Sequence, residues 1–442
     1  MRTAVVTFAV LAVSALASGY PPQSSIDGMQ GLRVACHTRD QLDFVRKFRN
    51  TPGFDLAAIE RDPTYPIHVF VAANQLEQFK RALATKGIGY DVFIDDVGTI
   101  TREQKQQSQL HSSDLLSSFP PWDRVRDRAK KKTSILEVLS IGRLLHPQIT
   151  SYLETLALTH GHVAKLINIG TSHEDRDILG VKITSSDARP GPRPAILVDA
   201  GIHAREWLGP ATALYTIRQL AENASNSHVF DNVDIYVLPS INPDGYVHTH
   251  QVDRMWKKNR SPSADGVGCF GTDVNRNFDY KWRSSGNRSC DSDYSGPGPF
   301  SERESQALKH FVESEVGSLK VYVSLHSYGK YILHSWGDKP ELPENAPKLE
   351  CVARKAEAEL SKVRGERYQV GSSYNLLYPV HGGSKDWALA VGGVDLTYTI
   401  ELPSEKYGFF APVSEIVPVG REVFEAIKVF AKYAEGGICQ GV

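Results

Sequence analysis

Four side chains able to hold a metal ion and work beside it follow short apolar runs in this sequence. AILVDA leads into GIHAREW, which places His203, Arg205 and Glu206 just past an apolar stretch. VYVSL leads into His326, and LTYTI leads into Glu401. Two histidines and a carboxylate that leave a fourth position open are the ligand set of a catalytic zinc ion. His203, Glu206 and His326 are therefore the candidate ligands. In TYTIEL, alternation puts Thr397, Thr399 and Glu401 on one face of a strand. Carboxylates are seldom buried without a partner. Glu401 is either an ion-paired structural residue or, beside a metal, a general base that takes the proton of an attacking water.

Spacing alone does not carry this reading. His-x-x-Glu also occurs at His310 and Glu313, inside ERESQALKHFVESE, where helical spacing and abundant charge mark a solvated helix face. DVNRNFD offers Asn275 beside Arg276, an amide next to a planar guanidinium fork that can grip a carboxylate bidentately. In the same motif Asp273 has the chemistry to orient a histidine ligand from behind, as such ligands usually require. GGSKDW contains Lys385 between a flexible turn and an Asp-Trp anchor, and a loop lysine is ordinarily a solvated charge.

The elements that must position these residues are legible from about residue 133 onward. AILVDA, VDIYVLP, VYVSL and LTYTI have strand length and β-branched content. Helix-like stretches, PATALYTIRQLAEN, ERESQALKHFVESE and KLECVARKAEAELSKV, lie between some of them. Buried strands separated by helices predict a mainly parallel sheet covered on both faces. Ligands of such sheets bind beyond the carboxyl ends of the strands. Three strand ends thus deliver two histidines and two glutamates to one edge.

Residues 32–97 alternate shorter signals: LRVACHT, PIHVFVAA and YDVFIDDV as strands, QLDFVRKFR and QLEQFKRALATKG as helices. They predict a small open-faced, ferredoxin-like α/β sandwich. TREQKQQSQLHSSDLLSS is polar and helix-favouring, and FPPWDRVRDRAKKK then supplies a basic run, read as a linker open to a trypsin-like protease. The opening MRTAVVTFAVLAVSALASG reads as a signal peptide cleaved after about Ala17. No other apolar run approaches the roughly 20 residues of a membrane span. The chain divides into a signal peptide (1–17), a first domain (18–115), a basic linker (116–132) and a second domain (133–442). A net charge of −1 gives no footprint for a nucleic-acid or membrane-surface partner. Secretion permits disulfides; of the five cysteines, Cys269 and Cys290 share a Gly/Ser/Asp-rich loop and are expected to pair, with the fates of Cys36, Cys351 and Cys439 left open. Asn223-Ala224-Ser225 and Asn287-Arg288-Ser289 are glycosylation sequons.

HAREW, DVNRNFD, LHSY, LYPVHGGSKDW and TIEL occur in that order along the chain. In these motifs the sequence resembles the secreted zinc metallocarboxypeptidases of the pancreatic A/B family, made as proenzymes. The resemblance implies an α/β fold with a mixed, mainly parallel eight-stranded sheet flanked by helices, preceded by a ferredoxin-like activation domain that covers the cleft until the linker is cut. It implies one Zn2+ per chain on His203, Glu206 and His326, with Glu401 as general base. It also implies that Asn275 and Arg276 bind the C-terminal carboxylate of a peptide, that Tyr378 closes over it, and that Arg205 lines the cleft near the scissile carbonyl. Cys269 and Cys290 match the family's disulfide. The expected partners are peptides with a free C-terminus and an activating trypsin-like protease; a monomer in a digestive setting is the expected form.

Two positions set this chain apart. In RMWKKNR the family usually has arginine after the tryptophan, at the oxyanion; here Lys257 supplies the charge without the fork, and Lys258 and Arg260 are neighbouring cations that would have to shift to help. In GGSKDW the resemblance puts Lys385 on the floor of the pocket for the terminal side chain, which predicts a preference for C-terminal Glu, with small Ser373 leaving room for it. The alternatives are an internal Lys385–Asp386 pair with broad A-type specificity, a deacylase on the same zinc scaffold, and a weakly active or non-catalytic secreted homologue.

Overall fold

The computed structural model describes residues 26–58, 65–110, 116, 118–119, 149–187, 191–263, 265–284 and 288–441. The expected signal peptide, nearly all of the basic linker and Asn287 lie outside the described residues.

The first domain runs β1 (Gln30–Ala35), a helix Arg39–Arg46, β2 (Phe54–Ala58), β3 (Ile67–Val71), a helix Ala73–Thr85 and β4 (Gly89–Ile94). Its antiparallel sheet has the order β2-β3-β1-β4, the ferredoxin-like arrangement the alternating pattern predicts. Thr38 caps the first helix by accepting from the Gln41 N–H at 3.2 Å, which leaves Leu42 and Val45 facing the sheet. Leu32, Val34, Val69, Phe79 and Leu83 complete that core. Strand β2 was not anticipated: FDLAA has no β-branched side chain, and its pairing with β3 makes it a strand.

The second domain carries β5 (Ala164–Thr171), β6 (Asp177–Ile183), β7 (Ala195–Ala200), β8 (Asp234–Leu238), β9 (Leu319–Ser327), β10 (Tyr331–His334), β11 (Gln369–Ser372) and β12 (Leu396–Leu402). They form one eight-stranded sheet ordered β11-β10-β12-β9-β7-β8-β6-β5. The central β12-β9-β7-β8 ladder is parallel, and antiparallel pairs flank it. Every residue of β7 and β8 is buried, because helices cover both faces. Ile196 and Val198 of β7 join the core under helices Leu208–Ala221, Ala346–Arg364 and Ile416–Ala434. Ala195 and Leu197 join the opposite core, under Arg303–Ser314 and Ser384–Ala390.

Two disulfides pin loops to this frame. Cys269–Cys290 forms as expected, and Cys351–Cys439 ties helix Ala346–Arg364 to the segment after the last helix. Cys36 is free and buried in the first domain. His310 and Glu313 are exposed on their helix, as expected of a solvated face. The domains share a small core of their own, in which Met29, Phe70 and Val97 pack with Tyr328, Phe409 and Phe410.

Candidate active site and metal centre

Because β7, β9 and β12 are parallel, their carboxyl ends open on the same edge, and register does the rest. Glu401 lies opposite His326 in the β12–β9 ladder, while His203 and Glu206 follow the end of β7. Ligand atoms of His203, Glu206 and His326 all lie within 4.8 Å of one another, and all three residues are buried. Nδ1 of His203 is 2.8 Å from one oxygen of Glu206, and Nδ1 of His326 is 3.1 Å from the other. Asp273 accepts from His203 Nε2 at 3.1 Å, which fixes the imidazole so that Nδ1 faces Glu206. Two imidazoles and one carboxylate, converging on one point, fit a zinc ion.

Electrostatics in this pocket are strong and mutual. Burial alone would raise the Glu206 carboxyl, but His203 and His326 hold it well below the usual carboxylate range. Burial would lower His326, yet Glu206, Glu401 and Asp199 carry it up to about 9. Burial, reinforced by Glu206, pushes Glu401 up to about 8 although His326 opposes this. A carboxylate so placed has a strong affinity for a proton, the property a general base needs.

Lys257 reaches the site by donating to the second oxygen of Asp273 at 2.6 Å. Asp273 therefore orients a candidate metal ligand and anchors Lys257 at once. The neighbouring cations are engaged elsewhere. Lys258 Nζ donates to the Ser289 carbonyl at 2.5 Å and is pushed down to about 8 by burial. The Arg260 guanidinium stacks over Trp256 at 4.5 Å.

Behind the ligands is a recess of about 70 Å³, lined among others by Asn275, Arg276, Ser373, Tyr378, Lys385 and Glu401. Asn275 is locked there by accepting from the Ser384 N–H at 3.0 Å. Arg276 is buried, and Asp273 and Tyr378 sustain its charge against that burial. Gly382 has a left-handed φ of +66°, and a side chain on it would collide with the Arg276 carbonyl. That close approach turns Lys385 inward. Lys385 stands in the first turn of helix Ser384–Ala390 rather than in a loop and is 7% exposed, so the reading of it as a solvated loop charge is wrong. Its ammonium donates to Asp386 Oδ1 at 2.7 Å and to Ser335 Oγ at 3.4 Å. The other Asp386 oxygen accepts from the Gly337 N–H at 2.7 Å. Ser373 is buried, with its hydroxyl 3.4 Å from the His334 carbonyl.

A wider cleft of about 460 Å³ lies outside the recess, and both domains line it. Arg205 is in this outer cleft, where its fork meets both oxygens of Asp55 from β2. Nδ1 of His68 in β3 is 2.9 Å from the Tyr328 hydroxyl, and the Arg49 guanidinium stands 5.1 Å over the Tyr378 ring. Asp55, His68 and Arg49 were not legible as site residues: each acts on a partner more than a hundred positions away, and no local spacing announces such a contact.

Comparison with known proteins agrees with this geometry. The zinc carboxypeptidase family profile matches residues 149–426, and the carboxypeptidase activation peptide profile matches residues 32–104. Zinc carboxypeptidase A 1 of Drosophila melanogaster is 32% identical over 442 aligned residues, covering 96% of this chain and 96% of the relative. Carboxypeptidase B of Astacus astacus is 38% identical, over 66% of this chain and 96% of its own. The crystal structure of carboxypeptidase A from Helicoverpa armigera superposes with a TM-score of 0.79 at 28% identity, covering 93% of this chain and 98% of that one. A buried cluster of His203, Glu206 and His326 able to hold a metal at the parallel strand ends, a covering ferredoxin-like domain and these matches along both domains have one reading: the chain belongs to the zinc carboxypeptidase family and is a metallocarboxypeptidase made with its activation peptide.

Proposed function

We propose that this protein is a secreted, monomeric digestive proenzyme whose mature form removes C-terminal glutamate from peptides. In this reading residues 1–17 are the signal peptide, 18–115 the activation domain and 133–442 the catalytic domain, with a trypsin-like protease cutting within linker 116–132. His203, Glu206 and His326 hold one zinc ion. Zinc, when bound, supplies Lewis acidity that polarises the scissile carbonyl and acidifies water. Glu401 accepts the proton of the attacking water and passes it to the leaving amine. Arg276 and Asn275 grip the terminal carboxylate, and Tyr378 closes over it. Arg205 and Lys257 supply positive charge where the carbonyl oxygen becomes negative. Lys257 does so through a single ammonium already shared with Asp273 rather than through a fork.

The observation that carries the glutamate preference is the buried ammonium of Lys385 in the recess behind Arg276. An ammonium has three donors, and Asp386 and Ser335 take two of them. The Asp386 charge is itself divided between Lys385 and the Gly337 N–H. One donor remains for an incoming carboxylate, and a site built around a charge discriminates against side chains that leave it unpaired. The competing reading is broad A-type specificity, favoured by the 2.7 Å pair with Asp386. Release of C-terminal Glu, Asp, Phe and Lys from otherwise identical peptides by the trypsin-treated enzyme separates the two. Glu should lead, Asp should follow because its chain is shorter, and Lys385→Asp should lose Glu and gain Lys. Phe or Lys as the preferred residue of the wild type would overturn the assignment.

A further inference from the structure

We propose that Lys257 sets how tightly this chain holds its metal: it shares the Asp273 carboxylate with His203, and its charge weakens the support that Asp273 gives that histidine. This rests on His203, Glu206 and His326 being the metal ligands and not on which terminal residue is released.

Asp273 is fully buried, and its two oxygens serve three donors. Oδ1 accepts from His203 Nε2 at 3.1 Å and from the Asn275 N–H at 3.0 Å. Oδ2 accepts from Lys257 Nζ at 2.6 Å, the shortest of the three bonds and the one made by an ammonium. The backbone keeps Lys257 in this place. Its carbonyl accepts from the N–H of Ala204, the residue after His203, at 2.9 Å. Ammonium and imidazole are therefore fixed to the two ends of one carboxylate by adjoining stretches of chain. The other histidine has no such support: His326 Nε2 is buried and has no hydrogen-bond partner among the described residues. His203 is thus the ligand through which a neighbouring charge can act.

A carboxylate that accepts from one ring nitrogen makes the opposite nitrogen a stronger donor to a metal. An ammonium bonded to the same carboxylate draws its negative charge the other way, and burial leaves that effect little screened. The Lys257 side chain is 14% exposed and lines the outer cleft with His203, Glu206 and Glu401. Of its three donors one goes to Asp273, so cleft-facing positive charge remains. A neutral residue at position 257 would surrender that charge and gain a firmer hold on the metal. The same side chain thereby links the charge presented to substrate with the affinity of the metal site.

The test reads zinc affinity in the intact chain rather than turnover: the metal-free protein competes for zinc with a coloured chelator of known affinity. Lys257→Met should tighten binding by about tenfold, and Lys257→Gln, equally uncharged, should do the same. Lys257→Arg keeps the charge and should stay within about threefold of wild type. Lys258→Met is the control for charge without the shared bond, because Lys258 Nζ donates to the Ser289 carbonyl instead; it should leave the affinity within about twofold. Unchanged or weaker zinc binding in both neutral Lys257 variants would overturn the proposal. So would equal tightening by Lys258→Met, which would assign the effect to net charge rather than to Asp273. Failure of the wild-type chain to bind zinc would instead count against the ligand assignment itself.

Discussion

Acid should loosen the activation domain from the catalytic domain, and one histidine should account for much of the effect. His68 is 5% exposed and sits where the domains meet. Its ring packs 4.8 Å from Phe93 and 5.5 Å from Tyr328, with Nδ1 against the Tyr328 hydroxyl. Its cross-strand neighbour is Arg33, another cation. Burial first, and Arg33 second, bring His68 from its ordinary 6.5 down to about 4. Undocking exposes the ring and returns it to ordinary behaviour, so the undocked form binds the proton more readily. The docked state is then at full strength above about pH 6.5 and loses stability as the pH falls toward about 4. The interval is worth about 3 kcal/mol, or roughly 300-fold in the equilibrium. The intact chain and its His68→Gln variant, whose amide can still bond to Tyr328, should be unfolded in urea from pH 7.5 to 4. Wild type should lose about 3 kcal/mol more than the variant across that range. Parallel pH profiles would refute the reasoning.

Two further outcomes follow from the catalytic domain. Glu401→Gln keeps the size of the side chain and removes the proposed base, so turnover should fall by about 10²–10⁴-fold while zinc content measured by elemental analysis stays at the wild-type level; a near-native rate would show that another group takes the proton. Replacing Cys351 and Cys439 by serine opens a loop closed across 88 residues, and should cost about 2–4 kcal/mol in denaturant unfolding with little change in activity at 25 °C; an unchanged midpoint would mean that packing already holds the C-terminal segment to its helix.

The candidate metal ligands and Glu401 beside them were legible because of where they stand in the chain. His203, His326 and Glu401 each leave a continuous apolar run, and a run with no alternation means a strand covered on both faces, hence a parallel sheet whose ligands gather at the carboxyl edge. Ferredoxin-like alternation in residues 32–97 was legible for the same kind of reason, since 3.6- and 2-residue periods survive in short segments. Pairing decided the rest. FDLAA becomes β2 only because β3 offers it a ladder, and with it Asp55 acquires Arg205 as a partner. Cys351 meets Cys439 because helices Ala346–Arg364 and Ile416–Ala434 pack together. Lys385 is the sharpest case. Its composition and loop setting describe a solvated charge, and nothing local buries it. It is buried because Gly382 lets its loop close onto Arg276 and because Trp387 fills the core beneath. Periodicity is a local property and can be read along the chain, whereas a charge's environment is set by whatever the fold brings up against it.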